Sequence, residues 1–151
     1  MSTTMILISN KEITKTKYEL KHHFDDKGFG YDFYLKPLCR DEEFILSNIN
    51  LGEYMYSLGT SLLFLDEYKN STDTSYENEF IYHFFEWLTN QFFPKLLQKG
   101  HQLQLLRFIM SNYPKDILPK NIAVQQINLN KVTFSTWKMQ NNTIYNLVQN
   151  Q

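Results

Sequence analysis

One stretch of the chain constrains the fold more than any other, because its apolar residues recur with the period of an α-helix. These residues are Phe80, Ile81, Phe84, Phe85, Leu88 and Phe92. They predict an amphipathic helix over about residues 76–93 that buries one wide stripe and exposes the opposite, polar one. Pro94 is predicted to end or kink this helix, since proline lacks the amide proton that a helix interior needs.

The size and composition of the chain predict a single folded domain over residues 1–151. Of the 151 residues, 42% are hydrophobic and 16% aromatic, which excludes a chain that is disordered throughout. No apolar run reaches the roughly 20 residues of a membrane-spanning helix, so we expect no membrane partner. The lone cysteine, Cys39, rules out an internal disulfide and fits a cytoplasmic protein.

Three segments in the first third of the chain alternate in the manner of β-strands. They lie at residues 13–22, 29–36 and 43–50, and an apolar run at residues 5–8 begins a further strand. The connections between the three are short, as in an antiparallel meander. Together with the helix, this pattern predicts an α+β fold in which two to three helices pack on one face of the meander.

The middle of the chain predicts a strand and two further helices. A short strand is expected at residues 54–56, followed by a helix whose first turn Thr60 or Ser61 caps. A second amphipathic helix is predicted over residues 101–113. It follows Gly100, a residue that suits a helix end because it adopts a left-handed backbone easily.

The C-terminal part reads as β-structure. Residues 122–127 and 132–137 are predicted to form two strands of a hairpin. Residues 144–148 predict a last strand.

The charge of the chain is unevenly distributed, although its net value is only −1. Residues 41–86 hold ten acidic residues against one base, Lys69, a balance of −9. Residues 1–40 hold seven bases against five acids, and residues 87–151 hold seven bases against one acid. The acidic block repels nucleic acid and favours a basic protein partner, chiefly by raising the rate of association.

Few residues are candidates for chemistry. Cys39 or His83 would be the reactive group of a small enzyme, which we keep as an alternative. Residues 59–61 lack the flanking glycines of a nucleophile elbow or a phosphate loop, so a helix cap is the simpler interpretation. Glu79, His83 and Glu86 share one helix face, but a metal site would need matching ligands from other helices. We therefore predict no catalytic residue, no metal and no cofactor.

The segment LGEYMYSLGTSLLFL resembles the G-D/E-Y-x-L-G-T-S-L signature of a family of small bacterial immunity proteins, the immunity protein forty-two family. Members of this family are found beside polymorphic toxins. The matching positions are Gly52, Glu53, Tyr54, Leu58, Gly59, Thr60, Ser61 and Leu62, with extra residues between Tyr54 and Leu58. The resemblance implies an α+β fold and neutralisation of a cognate toxin by direct binding. It transfers no site residues.

A toxin inhibitor needs a preformed surface with anchoring side chains, and the acidic block contains tyrosines suited to that role. We predict an acidic, tyrosine-containing face that binds a cognate toxin of basic charge, such as a nuclease. Its candidate residues are Asp41, Glu42, Glu43, Glu53, Tyr54, Tyr56, Asp66, Glu67, Tyr68, Asp73, Tyr76, Glu77 and Glu79. Under the alternative, these tyrosines fill the edge of the core and the acids only keep the protein soluble. A generic interaction adaptor, monomeric or homodimeric, is a further alternative.

Overall fold

The computed structural model describes residues 2–24, 27–49, 54–59, 76–110, 118 and 121–150. Within these ranges the strands are β1 (Ser2–Ser9), β2 (Lys17–Phe24), β3 (Lys27–Tyr34), β4 (Tyr54–Gly59), β5 (Leu103–Met110), β6 (Ala123–Asn128) and β7 (Thr143–Val148). The helical segments are α1 (Arg40–Ile45), α2 (Tyr76–Trp87), a π-helical turn (Leu88–Phe92) and α3 (Phe93–Gln98). No helix in the described ranges is long and apolar enough to cross a membrane.

Five of the strands form one mixed sheet in the order β4-β1-β5-β7-β6. Strand β1 pairs antiparallel with both β4 and β5, β5 pairs antiparallel with β7, and β6 lies parallel to β7. Strands β2 and β3 form a separate antiparallel hairpin. The predicted α+β class with antiparallel strands is therefore confirmed, although the strand order differs from that of a simple meander.

Both faces of the five-stranded sheet are covered, which explains the fully apolar centre of β1. Met5 and Leu7 point to one face and pack with α2 and the β2–β3 hairpin. Ile6 and Ile8 point to the other face and pack with α1. Successive residues of a strand alternate between faces, so a strand covered on both sides is apolar at every position. The helices consequently lie on two faces of the sheet rather than on one.

The N-terminal part of the chain matches the prediction except at one segment. Strand β1 and the β2–β3 hairpin are confirmed, with β2 starting at Lys17 rather than at residue 13. The predicted strand at residues 43–50 is wrong, because α1 and a turn occupy that region. Acidic residues fill the first turn of α1, where they are stabilised by the positive end of the helix dipole.

The predicted helix over residues 101–113 is also wrong, because the chain forms strand β5 there. Leu105, Leu106 and Phe108 are completely buried. They are divided between the two core clusters, on opposite faces of the sheet. A short continuous apolar run has the same appearance in a buried strand and in a buried helix, so the pattern alone did not decide between them.

The C-terminal hairpin is replaced by a parallel pair. Strand β6 confirms the prediction for residues 122–127, and β7 confirms the predicted last strand. Residues 132–137 form turns instead of a strand, with the backbone amide of Trp137 donating to the carbonyl of Thr133 at 2.9 Å. Trp137 is 1% exposed, so this segment contributes a buried side chain to the core but no strand to the sheet.

The predicted helix over residues 76–93 is present but longer and interrupted. Its buried residues include Ile81, Phe84, Phe85, Leu88 and Phe92, as the apolar stripe predicted. The π turn ends directly before α3, and the amide of Phe93 donates to the carbonyl of Leu88. Pro94 lies in the first turn of α3, where its missing amide proton is tolerated. We attribute the π turn to Pro94, whose ring would meet the carbonyl four residues earlier in a regular α-helix.

Helix α3 is followed by a turn that contains Gly100, which has a φ of +92°. The amide of His101 donates to the carbonyl of Leu96 at 3.1 Å. The amide of Gly100 donates to the carbonyl of Leu97 at 3.0 Å. These two bonds form a Schellman motif, in which the left-handed residue is normally glycine. The helix predicted to begin at Thr60 or Ser61 lies outside the described residues, whereas the strand at residues 54–56 is confirmed as part of β4.

Replacing Gly100 with alanine is expected to lower the free energy of unfolding by about 1–2 kcal/mol, because a Cβ atom is strained at positive φ. A Cβ placed there also comes within 2.7 Å of Lys11 Nζ, although this flexible side chain can move away. Urea unfolding of Gly100→Ala and Gly100→Asn tests the explanation. The asparagine variant should lose less stability, since asparagine tolerates a left-handed backbone as Asn142 does at φ 57°.

Candidate functional site

Helix α1 is fixed to the sheet by one buried carboxylate. Glu42 is only 4% exposed, and its Oε2 accepts hydrogen bonds from Ser57 Oγ at 2.8 Å and from Thr4 Oγ1 at 3.1 Å. Its Oε1 accepts a bond from the backbone amide of Cys39 at 2.9 Å, as in a capping box. Glu42 therefore joins the start of α1 to strands β1 and β4. Because it is buried, Glu42 cannot contact a partner, and its predicted place in the docking face is wrong.

The outer side of α1 presents charge and an aromatic ring. Asp41 and Glu43 flank the buried Glu42 and are both exposed, and the Phe44 side chain is 45% exposed. Among the described residues, no basic group lies within 4.0 Å of the carboxylates of Asp41 and Glu43. Within the described part of the chain, the helix thus offers negative charge without a close basic partner, beside an exposed ring and on a backbone that Glu42 holds in place. We name this surface, formed by Asp41, Glu43 and Phe44, the α1 face.

The tyrosines of β4 do not join the α1 face. Tyr56 is half-buried and packs with the cluster under α2, whereas α1 packs with the cluster on the opposite side of the sheet. The hydroxyl of Tyr56 accepts a hydrogen bond from the amide of Ile13 at 2.8 Å. Tyr54 lies two residues earlier in the strand, so it points to the same face as Tyr56. The structure therefore separates these tyrosines from Asp41 and Glu43.

The other predicted docking residues fall into two groups. Those outside the described residues are Glu53, Asp66, Glu67, Tyr68 and Asp73. Those in the first turns of α2, whose side chains are also outside the description, are Tyr76, Glu77 and Glu79. Their place in a docking face stays a prediction.

The two candidate reactive residues are far apart in the architecture. Cys39 is exposed at the start of α1, and His83 is exposed on α2, on the opposite side of the sheet. The sheet thus lies between a Cys39 thiol and a His83 imidazole. In the part of the chain that the structure covers, no group of three or more His, Cys, Asp or Glu side chains is arranged to hold a metal ion.

The sequence analysis did not predict a cleft of about 360 Å³, which lies on the side of the sheet opposite α1. One wall is formed by residues 12–15, in the connection between β1 and β2, and by Tyr18 and Glu19 of β2. The other wall includes Trp87, Gln91, Lys95 and Lys99, which repeat every four residues along α2, the π turn and α3. Residues four apart lie on one face of a helix, so these side chains form a row. That spacing is visible in the sequence, and it is the signal that could have located the cleft.

The middle of the cleft has an aromatic floor. Trp87 and Phe92 stack with ring centroids 5.1 Å apart and planes inclined by 21°. A separation of five residues matches the i to i+5 bonding of a π turn, so the π turn brings these two rings together. Tyr18 meets both rings edge-on, at 5.6 Å from Trp87 and 5.0 Å from Phe92. Burial raises the pKa of Tyr18 above its usual 10.0, so its ring is uncharged at neutral pH.

One end of the cleft is basic. Lys95, Lys99 and His101 line it, and Lys11 lies beside them with its Nζ donating to the carbonyl of Lys99 at 3.5 Å. Burial lowers the pKa of His101 below its usual 6.5, and the charges of Lys11 and Lys99 lower it further. Ser9 Oγ lies 2.9 Å from His101 Nδ1 and holds the ring in position. The imidazole is therefore neutral at neutral pH and oriented by its serine partner.

The chain matches none of the family models, curated proteins or solved structures with which it was compared.

Proposed function

We propose that this protein is a cytoplasmic immunity protein that neutralises a cognate bacterial toxin by binding to it directly. The α1 face is the proposed docking surface, and the toxin is expected to carry a basic surface, as a nuclease does. The observation that carries the proposal is the arrangement of α1, where two exposed carboxylates and an exposed ring surround a buried, fully hydrogen-bonded Glu42. The resemblance of residues 51–65 to the immunity protein forty-two signature supports the same interpretation.

Rigidity is the physical reason why this arrangement suits an inhibitor. A surface that is already ordered loses little conformational entropy on binding, so more of the contact energy appears as affinity. Exposed acidic groups raise the rate of encounter with a basic partner, and a desolvated aromatic ring slows dissociation. The α1 face combines these features on a six-residue helix.

A small enzyme using Cys39 or His83 is the alternative, and each residue would have to act without the other, since α1 and α2 pack on opposite faces of the sheet. A specific observation would favour it, namely selective labelling of the Cys39 thiol accompanied by loss of a chemical activity. The adaptor alternative predicts binding to a partner that is not a toxin.

Co-expression with the product of the neighbouring open reading frame tests the proposal. We expect the wild-type protein to rescue growth of toxin-expressing cells and to retain the toxin in a pull-down. Phe44→Ala should weaken binding by about 2 kcal/mol, as expected for truncation of an aromatic anchor. The double variant Asp41→Asn/Glu43→Gln should mainly slow association, with an effect that shrinks as ionic strength rises.

Asp32→Asn is the matched control, because Asp32 is an exposed acid on the β2–β3 hairpin, away from α1. It should bind and protect like the wild type. All four substituted positions are exposed, so each variant is expected to keep the fold. Urea unfolding of every variant checks this. Absence of both binding and protection by the wild-type protein would refute the immunity function. Normal binding by Phe44→Ala and by the double variant would instead refute the assignment of the α1 face.

A further inference from the structure

We propose that this protein forms a symmetric homodimer in which the edge strand β6 pairs antiparallel with the same strand of a second copy. The pairing joins the two five-stranded sheets into one continuous sheet. This inference does not rest on the proposed immunity function, because β6 lies at the opposite end of the sheet from β4 and β1, to which Glu42 attaches α1.

The two edges of the sheet differ in what already lies beside them. The outer edge of β4 is occupied, since Lys36 and Ser57 exchange two backbone hydrogen bonds of 3.0 and 2.7 Å. At the other end, β6 pairs only with β7 among the strands that the structure describes. The first four residues of β6 are exposed, with Val124 at 58%, so this part of the strand is open to solvent. Within the described chain, the β6 edge is therefore the one that can accept a further strand.

The alternation of the backbone identifies the groups of β6 that face outward. The amide of Leu129, directly after β6, donates to the carbonyl of Val148 on β7 at 2.8 Å. Successive residues of a strand direct their amide and carbonyl groups to alternate edges. Gln125 therefore also points toward β7, whereas Val124 and Gln126 point away from it. Each of these two residues offers one amide and one carbonyl to an added strand.

The composition of β6 favours a second copy as the added strand. Edge strands are usually protected from pairing by charged residues, proline or a bulge. The sequence AVQQIN contains neither charge nor proline, and its register with β7 runs without a shift from Ala123 to Asn128. Two copies of a neutral strand meet without repulsion between like charges. A basic toxin, in contrast, gains no ion pair from this edge.

Symmetry restricts the register of the pair. A twofold axis normal to the sheet keeps each face on its own side, so the axis passes through a residue rather than between two. An axis at Gln125 places Val124 of each copy opposite Gln126 of the other. These outward groups then exchange two hydrogen bonds in each of the two pairs. An axis at Gln126 would instead require Asn128, whose carbonyl already accepts bonds from two amides of the following turn.

The side chains are compatible with the axis at Gln125. The two Gln125 side chains lie directly opposite each other, and each carboxamide can both donate to and accept from its counterpart. On the same face, Ala123 of one copy lies opposite Ile127 of the other, which places an apolar pair on each side of the glutamines. Cross-strand pairs of this kind stabilise an antiparallel ladder.

Sedimentation equilibrium tests the dimer. A single edge strand is a small interface, so we expect monomer and dimer to exchange with a dissociation constant on the order of 10–100 µM. Gln125→Lys places two like charges directly opposite each other and should weaken the dimer at least about tenfold. Gln140→Lys is the matched control, because it adds the same charge at an exposed position outside β6 and should dimerise like the wild type. Both positions are exposed, so both variants are expected to keep the fold.

Disulfide cross-linking tests the register, in a Cys39→Ser background that removes the native thiol. Gln125→Cys should form an intermolecular disulfide on mild oxidation with diamide, since residues of a non-hydrogen-bonded pair have Cα atoms about 4.5 Å apart. Gln126→Cys should not, because it meets its own counterpart only diagonally, at more than about 7 Å.

Three outcomes would overturn the proposal. The first is a wild-type protein that stays monomeric at the highest concentration reached. The second is equal dimerisation of Gln125→Lys and Gln140→Lys, which would move the contact to another surface. The third is cross-linking of Gln126→Cys as efficient as that of Gln125→Cys. A monomeric wild type whose toxin retention is lost in Gln125→Lys would assign this edge to a strand of the toxin instead.

Discussion

Replacing Phe33 with alanine is expected to lower the free energy of unfolding by about 4 kcal/mol, the largest effect of any single change proposed for this protein. Phe33 is 1% exposed and lies at the centre of an aromatic cluster. Its ring centroid is 5.3 Å from that of Phe92, 5.5 Å from Trp87 and 5.6 Å from Phe84. Truncation leaves a cavity among rings that cannot close around it, and phenylalanine-to-alanine changes of this kind cost about 3–5 kcal/mol.

The position of Phe33 makes this loss more than a local one. Phe33 is on the β2–β3 hairpin, which belongs to a different sheet from the five-stranded one, and its ring joins that hairpin to α2 and the π turn. A melting temperature lower by about 10 °C is expected for a chain of this length. Calorimetry or urea unfolding provides the measurement. Tyr34→Ala, at the adjacent position and 40% exposed, should cost less than about 1 kcal/mol. Similar losses in the two variants would mean that the Phe33 cluster does not hold the hairpin.

The second large effect is expected for Glu42→Ala, at about 3 kcal/mol. The change removes the acceptor for two hydroxyl groups and one backbone amide, and a buried donor without a partner costs about 1–3 kcal/mol. The hydroxyls of Thr4 and Ser57 can rotate toward other acceptors, so the total is less than three full penalties. Urea unfolding measures the loss. Hydrogen exchange should show that the amides of α1 open more readily than those of β5, because α1 loses its attachment first.

Two further variants distinguish the hydrogen bonds of Glu42 from its charge and volume. Glu42→Gln keeps the shape but places an amide group where one carboxylate oxygen accepts, so a loss of about 1–2 kcal/mol is expected. Glu43→Ala, the exposed neighbour, should change stability by less than about 0.5 kcal/mol. If Glu42→Gln were as unstable as Glu42→Ala, the charge of Glu42 rather than its hydrogen bonds would explain the attachment of α1 to the sheet. If Glu42→Ala were as stable as Glu43→Ala, Glu42 would not attach α1 to the sheet.

Interaction patterns within a short stretch of chain allowed part of this structure to be predicted. The apolar stripe of α2 and the alternation of the β2–β3 hairpin each express a local period, and both elements are present. The strand assigned to residues 43–50 failed because Glu42 and the acidic first turn favour a helix, a signal that the alternation of neighbouring residues concealed. The helix assigned to residues 101–113 failed because burial on both faces of a sheet removes the alternation.

The candidate surfaces, too, were predictable only in part from the sequence. The acidic block was visible in the sequence, but the turning inward of Glu42 and the outward position of Phe44 depend on strands that are distant in the chain. The aromatic and basic cleft combines residues 12–19 with residues 87–101, and no local pattern joins two segments that far apart.

The sequence by itself determined the α+β class, the amphipathic helix before Pro94 and the uneven distribution of charge, because each depends on composition or on residues within one or two turns. The tertiary structure alone decided the strand order, the two covered faces of β1, the burial of Glu42 and the stacking of Trp87 on Phe92. These features come from contacts between distant segments, whose free energy depends on which surfaces meet and therefore leaves no periodic trace in the chain.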